Sequence, residues 1–214
     1  MVNSKKRCVI VAASPNDEIE FIKSQIMEDD FVICADGGAD KLIETGIMPD
    51  FIIGDFDSSK NYTYFDSSIV TVLPTQKDDT DTMYCVKTAL EKGYKDFLIL
   101  GATGGRIDHT LANLSVLLYL KKSGASGVIS DEFADTALLS IGDNILENKK
   151  GKTVSIMPFA SDSVRLTYKG MMYPLENSEV YTDYPYTISN VAVEDRVIIT
   201  LHSGTALLVL PRKE

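Results

Sequence analysis

The sequence of 214 residues contains no tryptophan, few histidines and cysteines, and fewer basic than acidic residues. Its 21 lysines and arginines stand against 31 aspartates and glutamates, which gives a formal net charge of -10 at pH 7. Such a chain lacks the basic footprint that nonspecific binding to nucleic-acid phosphates needs. We therefore exclude nucleic acid as a partner, and we expect a metal ion to mediate the binding of any anionic ligand.

The three cysteines, Cys8, Cys34 and Cys85, lie far apart in apolar segments. This spacing fits neither a disulfide framework nor a zinc site. We expect all three to be small, reduced core residues. The two histidines, His109 and His202, are too far apart in sequence to suggest a ligand pair, and structural roles are expected for both.

No apolar run in the sequence is long enough to cross a bilayer. The basic residues 1–7 precede an apolar run at 8–13, but this run is too short for the hydrophobic region of a signal peptide, and a loop follows it. With 44% hydrophobic and 24% charged residues, the composition is that of an ordinary globular protein. We expect a cytoplasmic protein that does not contact membranes.

From residue 8 to residue 131, short apolar runs alternate with helical patterns, which is typical of a parallel sheet flanked by helices. The predicted strands are 8–13, 31–35, 51–54, 69–73, 97–100 and 127–130. The predicted helices are 17–27, 39–45, 80–92 and 108–122. The last two helices have Asp or Thr at the start and Gly just past the end, which are ordinary helix boundary signals.

After residue 131 the helical periodicity fades, and short alternating runs are separated by turn signals. These runs are 153–157, 163–167, 196–201 and 205–210. Their spacing is typical of an antiparallel sandwich or small barrel. The sequence thus predicts an α/β fold, with an N-terminal mostly parallel sheet flanked by helices in a domain of residues 1–132. A C-terminal antiparallel β-sandwich domain of residues 133–214 follows.

Two acidic motifs follow the third and fourth predicted strands. Gly-Asp-Phe-Asp-Ser occupies residues 54–58, and Lys-Asp-Asp-Thr-Asp occupies residues 77–81. Carboxylates so close together repel each other unless a hard cation lies among their oxygens, and Mg²⁺ is the natural candidate. A polar turn is the alternative for one such motif. Two motifs after separate strands favour the metal site.

Two further motifs follow the second and fifth strands, namely Ala-Asp-Gly-Gly-Ala at 35–39 and Gly-Ala-Thr-Gly-Gly-Arg-Ile-Asp-His-Thr at 101–110. Ligands of open α/β sheets bind outside the carboxyl ends of the strands, so these turns converge on one edge. The glycines at 101–105 let backbone N–H groups approach a phosphate, with Arg106 as a charged clamp. The alternative role for Asp108 is capping of the next helix. The alternative for Asp81 is a favourable interaction with the helix dipole, because it lies in the first turn of a predicted helix.

Taken in their order along the chain, these motifs resemble those of the thiamine pyrophosphokinase (thiamine diphosphokinase) family. Gly-Met-Met-Tyr-Pro-Leu at 170–175 and Ile-Ser-Asn at 188–190 extend the match over nearly the whole chain. The resemblance implies an α/β domain that binds ATP and Mg²⁺, a β-sandwich, and a homodimer whose thiamine sites lie between subunits. It also implies direct transfer of the pyrophosphoryl group of ATP to the thiamine hydroxyl, which releases AMP.

The resemblance further implies roles for particular residues. The catalytic residues are Asp55, Asp57, Asp81 and Asp108. The metal ligands are these four together with Asp78. The ATP-binding residues are Asp36, Gly37, Gly38, Thr103, Gly104, Gly105 and Arg106. The thiamine-binding residues are Gln76, Tyr173, Ser189 and Asn190. Tyr173 occupies a position that is Trp in some members, and either Gln76 or Lys77 corresponds to a thiamine-contacting Gln of some relatives.

Two other functions remain open at the level of sequence. Asp-x-Asp after a strand also serves metal-dependent nucleotide-sugar and nucleotidyl transferases, and a phosphatase with Asp55 as nucleophile is a weaker variant. A sensor that binds nucleotide or thiamine without turnover is the second alternative. Formation of AMP from ATP and thiamine separates the pyrophosphokinase from both.

Overall fold

The protein is described by a computed structural model that covers residues 7–15, 18–57, 61–76 and 78–212. The chain divides into two compact units, Met1–Glu132 and Phe133–Glu214. A hydrophobic cluster fills the core of each unit. The predictions that concern Asp17, Ser58 and Lys77 lie outside the described residues.

The first unit is built on six parallel strands in the order β6-β5-β1-β2-β3-β4. Its elements are β1 Cys8–Val11, α1 Ile19–Gln25, β2 Phe31–Ala35, α2 Gly38–Thr45, β3 Phe51–Gly54, β4 Val70–Val72, α3 Asp81–Glu91, β5 Asp96–Leu100, α4 Ile107–Lys122 and β6 Ser126–Ser130. Two short 3₁₀ turns, Asn61–Tyr64 and Ser67–Ile69, precede β4. Each predicted strand and helix is present, although β1 ends at Val11 rather than residue 13.

The central strands are apolar along their whole length because both faces of a parallel sheet are covered. Val9, Ile33 and Ile52 illustrate this pattern, since each is 0% exposed. The three cysteines are buried and free, which confirms the prediction of small core residues. Thr80 is the N-cap residue of α3, and its hydroxyl oxygen accepts a hydrogen bond from the backbone N–H of Met83 at 3.2 Å.

The strand order places β1 beside β5, and the chain runs from β1 towards β2 on one side but from β5 towards β6 on the other. A crevice opens at such a switch point. Two glycines allow the neighbouring turns to approach the end of β1. A Cβ on Gly38 would lie 2.2 Å from the carbonyl oxygen of Val11, and a Cβ on Gly101 would lie 2.2 Å from that of Ala12.

The second unit contains antiparallel strands in the orders β12-β9-β14-β7 and β11-β10-β13-β8. The strands are β7 Ala134–Leu138, β8 Gly142–Leu146, β9 Thr153–Pro158, β10 Ser163–Lys169, β11 Leu175–Tyr181, β12 Asn190–Val191, β13 Val197–Ser203 and β14 Ala206–Pro211. Ile156 and Leu208 of the first sheet share a core with Leu166 and Ile199 of the second. This arrangement confirms the predicted β-sandwich.

The sequence did not indicate β7, β8, β11 or β12. Strand β8 reads GDNIL and β11 reads LENSEVY, so polar residues interrupt the apolar alternation in both. Strand β12 has two residues and shows no periodicity at all. Within the described part of the chain, no helix combines the length and apolar character needed to span a membrane.

Candidate active site

A cavity of about 720 Å³ opens at the carboxyl ends of β1, β2 and β5. This volume lies within the range of small-molecule sites, roughly 300–1,000 Å³. Its walls are formed by turns that the sequence predicted to converge and by the segment that follows β1. The lining residues include Ala12, Ser14, Pro15, Asp36, Gly37, Thr80, Asp81, Gly101, Gly104, Gly105, Arg106, Asp108, His109 and Asn113.

Three carboxylates, which we call the acidic cluster, meet beside this cavity. Asp36 follows β2, while Asp55 and Asp57 follow β3, and each offers an oxygen within 4.8 Å of the others. The sequence indicated Asp55 and Asp57 as metal ligands, but it gave Asp36 only an ATP-binding role. The signal for Asp36 is the adjacency of β2 and β3 in the sheet, which the motif spacing alone does not contain.

The backbone brings these carboxylates together through two left-handed residues and a glycine. Asp36 has φ 44° and Phe56 has φ 53°. The carboxylate of Asp36 accepts a hydrogen bond from the backbone N–H of Phe56 at 3.1 Å. A Cβ on Gly54 would lie 2.8 Å from the Cα of Asp36, so only glycine permits this approach. The buried ring of Phe56 stacks on Tyr62 at 4.1 Å between centroids and anchors the turn.

The acidic cluster is electrostatically unfavourable for the half-buried Asp36. Burial raises the pKa of Asp36 above its ordinary value, and the charges of Asp81 and Asp55 raise it further. Hydrogen bonds from the backbone N–H groups of Gly37 and Phe56 lower this pKa and offset part of the effect. A divalent cation would stabilise the ionised carboxylates. The donor set of three close carboxylate oxygens fits Mg²⁺, which prefers hard oxygen ligands.

Arg106 and Asp108 form an exposed ion pair at the rim of the cavity. Nε and Nη2 of Arg106 donate to the two carboxylate oxygens of Asp108 at 3.1 and 2.6 Å. This hydrogen bonding lowers the pKa of Asp108 and raises that of Arg106. Helix α4 begins at Ile107 with Arg106 as its N-cap residue, so the capping role considered for Asp108 is wrong. Because exposed ion pairs are weak, the guanidinium can exchange Asp108 for a phosphate.

The second acidic motif contributes one lining residue from a helix start. Asp81 is the first residue of α3 and lines the cavity. Asp78 and Gln76, which the resemblance assigned to the metal and to thiamine, are exposed and do not line it. Gln76 and Asp78 are therefore not brought to the cavity wall, in contrast to Asp81.

The glycine-rich turn contributes its glycines and Arg106 to the cavity, but not Thr103. Gly104 and Gly105 adopt φ 84° and 65°, which glycine tolerates at no steric cost. Thr103 Oγ1 instead donates to the carboxylate of Asp131 at 2.5 Å, and its carbonyl accepts from the hydroxyl of Ser14. Thr103 therefore braces the turn, and no sequence pattern revealed the direction of its side chain.

For other residues of the site, the sequence provides a weaker indication of contact with a ligand, or none. Asn113 is buried and donates to the carbonyl of Ala102 at 2.8 Å, as expected for a satisfied amide in an apolar helix. It also lines the cavity, as does His109, for which only a structural role was expected. Residues 12–15 line the cavity without a recognisable motif. Gly38 is buried at the start of α2, and its place is set by contact with β1.

The remaining predicted site residues belong to the second unit. Tyr173 is 67% exposed, whereas Asn190 is 4% exposed. Ser189 is exposed and has φ 57°, a left-handed conformation at the point where β12 begins. The amide of Asn190 is engaged by the backbone of Tyr173 and Val191. The resemblance assigned these three residues to one thiamine site, and the structure gives them different environments.

These features define an α/β domain with a ligand cavity at the switch point of a parallel sheet, followed by a β-sandwich. A protein-family model described as "Thiamin pyrophosphokinase, catalytic domain" matches residues 22–129. A second, described as "Thiamin pyrophosphokinase, vitamin B1 binding domain", matches residues 143–206. The chain belongs to the thiamin pyrophosphokinase family, which confirms the resemblance seen in its motifs.

Individual relatives agree with this assignment. The thiamine pyrophosphokinase of Bacillus subtilis (strain 168) is 29% identical over 205 residues, which cover 94% of this chain and 96% of the relative. Thiamine pyrophosphokinase 3 of Oryza sativa subsp. japonica is 26% identical, with 82% of this chain and 76% of the relative covered.

Solved structures also match over nearly the full length. The crystal structure of thiamine pyrophosphokinase from Bacillus subtilis superposes with a TM-score of 0.87 at 27% identity and covers 98% of this chain and 100% of that chain. The structure from Geobacillus thermodenitrificans gives a TM-score of 0.84 at 26% identity, with 97% and 98% covered. The predicted fold class is thereby confirmed.

Proposed function

We propose that the protein transfers the pyrophosphoryl group of ATP to the hydroxyl of thiamine and forms thiamine diphosphate and AMP. The observation that carries this proposal is the acidic cluster beside a cavity of about 720 Å³, in a chain matched by the family's catalytic and vitamin-binding models. Family membership favours this activity over a nucleotide-sugar transferase or a sensor without turnover.

We propose Mg²⁺ as the metal, held by Asp55 and Asp57 with Asp36 as a third carboxylate. When bound, Mg²⁺ would neutralise phosphate charge, which an acidic chain cannot do with its carboxylates alone. Asp81 and Asp108 line the same cavity and are the further acidic residues of the proposed site. Asp78 is exposed away from the cavity wall, so the proposal no longer includes it.

The chain's own groups supply the positioning that phosphoryl transfer requires. The backbone at Gly104 and Gly105, together with Arg106, would hold the ATP phosphates. The oxygen of the thiamine hydroxyl attacks the β-phosphorus, and the bond from that phosphorus to the bridging oxygen of the α-phosphate breaks. AMP leaves with the bridging oxygen, and the hydroxyl proton passes to a carboxylate that lines the cavity.

We also propose a homodimer in which the β-sandwich of one subunit completes the thiamine site of the other. The exposed ring of Tyr173 supports this, since thiamine is a cation with an aromatic pyrimidine that suits ring stacking. Mixing Asp57→Asn chains with Tyr173→Ala chains tests the shared site. The assay uses thiamine concentrations well below the raised KM of the Tyr173→Ala variant. Shared sites should restore turnover in verified heterodimers, and the absence of any restoration would refute the shared site.

A cytoplasmic location is part of the proposal. It is supported by Cys8, Cys34 and Cys85, which are free thiols rather than disulfides and therefore suit a reducing compartment. Fractionation of cells that express the full chain tests this location directly.

The decisive experiment incubates the protein with ATP, Mg²⁺ and thiamine and separates AMP from ADP. AMP and thiamine diphosphate should accumulate in equal amounts. A thiamine analogue without the hydroxyl serves as the matched control and should yield no AMP. ADP as the product, or AMP formed equally with the analogue, would contradict pyrophosphoryl transfer to thiamine.

A further inference from the structure

The segment that carries Tyr173 is joined to β12 by a short antiparallel ladder. The backbone N–H of Val193 donates to the carbonyl of Gly170 at 2.9 Å, and that of Met172 donates to the carbonyl of Val191 at 2.8 Å. Met171 and Ala192 form the bridge between these two bonds. Residues 170–172 are therefore fixed by ordinary backbone pairing.

In the register set by the bridge between Met171 and Ala192, the residue opposite Tyr173 is Asn190, at a position where antiparallel strands do not exchange backbone hydrogen bonds. Ser189 has φ 57°, which is left-handed, and its N–H donates to the hydroxyl of Ser155 at 2.9 Å. The chain thus leaves the ladder one residue before Asn190. The backbone N–H and C=O of Tyr173 therefore need a partner other than the backbone of Asn190.

The side chain of Asn190 supplies the missing pairing. Its Oδ1 accepts from the backbone N–H of Tyr173 at 3.1 Å, and its Nδ2 donates to the carbonyl of the same residue at 2.8 Å. Oδ1 also accepts from the backbone N–H of Val191 at 2.9 Å, so both of its lone pairs are used. Asn190 is 4% exposed, which leaves little surface for contact with a ligand.

Tyr173 itself combines a fixed backbone with an exposed ring. Pro174 follows it and restricts residue 173 to extended conformations. Tyr173 is nevertheless 67% exposed. A rigid backbone that presents an aromatic ring lowers the entropic cost of binding a ligand on that ring.

We propose that Asn190 is a positioning residue that holds the peptide of Tyr173, so that the exposed ring is presented to the thiamine cation. Asn190 acts through Tyr173 and does not bind the substrate itself. This inference rests on the proposed function, because that function makes Tyr173 part of the thiamine site.

A double-mutant cycle distinguishes positioning from direct contact. Asn190→Ala should raise the KM for thiamine by roughly twofold to tenfold, which is what ordering one side chain costs, and leave the KM for ATP unchanged. In a Tyr173→Ala background, Asn190→Ala should cause no further rise. If the two increases multiply, or if Tyr173→Ala alone leaves the KM for thiamine unchanged, the proposal is overturned.

Asn144→Ala is the matched control, because Asn144 clamps Ser140 in the same way. Oδ1 of Asn144 accepts from the backbone N–H of Ser140 and Nδ2 donates to its carbonyl, each at 2.9 Å. This variant should lose stability without any change in the KM for thiamine. Asn190→Asp keeps the acceptor for Tyr173 and should give an intermediate KM, which also covers the case that Asn190→Ala fails to fold.

A fluorescence experiment tests the same contact without turnover. The sequence contains no tryptophan, so Tyr173→Trp introduces a single indole at this position. With no substrate present, adding Asn190→Ala should lower the anisotropy of that indole, whereas adding Asn144→Ala should not. Unchanged anisotropy would overturn the positioning role. Failure of the wild-type chain to form AMP would instead refute the proposed function, so the two failures are distinguishable.

Discussion

In the unit Met1–Glu132 the candidate ligand-binding residues come from turns at one edge of a parallel sheet. In Phe133–Glu214 they come from the segment just before β11 and from the short strand β12 with the residue before it. Parallel strands deliver everything at their carboxyl ends to one edge, so position along the chain predicts proximity. In the sandwich, hydrogen bonds between side chains and backbone decide each residue's role. Motifs in the first unit therefore mostly indicate cavity-lining residues, with Thr103 as a brace among them, whereas in the second unit the motif residue Asn190 is itself a brace.

From this comparison we expect substitutions in the acidic cluster to cause the largest loss of activity. Asp36→Asn and Asp57→Asn should each lower kcat by about 10²- to 10³-fold, because each removes a carboxylate that neutralises the metal and phosphates. Asp66→Asn is the control, since Asp66 is an exposed cap that accepts from the N–H of Ser68 at 2.8 Å, and Asn caps equally well. Steady-state assays at saturating Mg²⁺ measure the effect, and normal kcat in both variants would remove the acidic cluster from the site.

The next effect concerns the close approach of the glycine-rich turn to β1. Gly101→Ala adds a Cβ 2.2 Å from the carbonyl oxygen of Ala12 at a residue with φ 65°. We expect a loss of about 3–5 kcal/mol in the free energy of unfolding, from backbone strain and overlap together. Gly46→Ala has a similar φ of 73° with no described atom within 4 Å, so it should lose only about 1–2 kcal/mol. Equal losses in urea unfolding would show that the close approach is not needed.

Arg106→Lys should raise the KM for ATP by roughly tenfold, because an ammonium cannot hold two phosphate oxygens as a planar guanidinium does. Arg196→Lys provides the comparison from the second unit, where Arg196 pairs with Glu147 at 3.5 Å and is similarly exposed. That variant should leave both Michaelis constants unchanged. A selective rise in the KM for thiamine would assign Arg106 to the other substrate.

The smallest predicted effect tests bracing within the first unit. Thr103→Val removes the hydroxyl that donates to Asp131 and should raise the KM for ATP by roughly twofold to fivefold, since the turn loses one hydrogen bond. Thr200→Val removes a similar bond, to Asp143 at 2.6 Å, in the second unit. It should not alter the KM for ATP. If Thr103→Val left that KM unchanged, the glycine-rich turn would be held by its backbone contacts alone.

Much of the fold was predictable because burial on both faces makes parallel strands such as β2 and β3 continuous apolar runs. The polar strands β8 and β11 carry no such signal. In the site, Asp55 and Asp57 were predictable from one motif, while the third carboxylate, Asp36, depends on strand adjacency. The orientation of Thr103 depends on a partner 28 residues away, which local sequence cannot reveal.

The two glycine contacts at the end of β1 have a consequence for redesign. Backbone faces backbone there, since the carbonyl groups of Val11 and Ala12 are covered directly by the turns at Gly38 and Gly101. Neither Gly38 nor Gly101 can therefore carry a side chain without displacing the main chain. A library that aims to alter nucleotide preference should leave these two glycines constant and vary a lining residue such as His109.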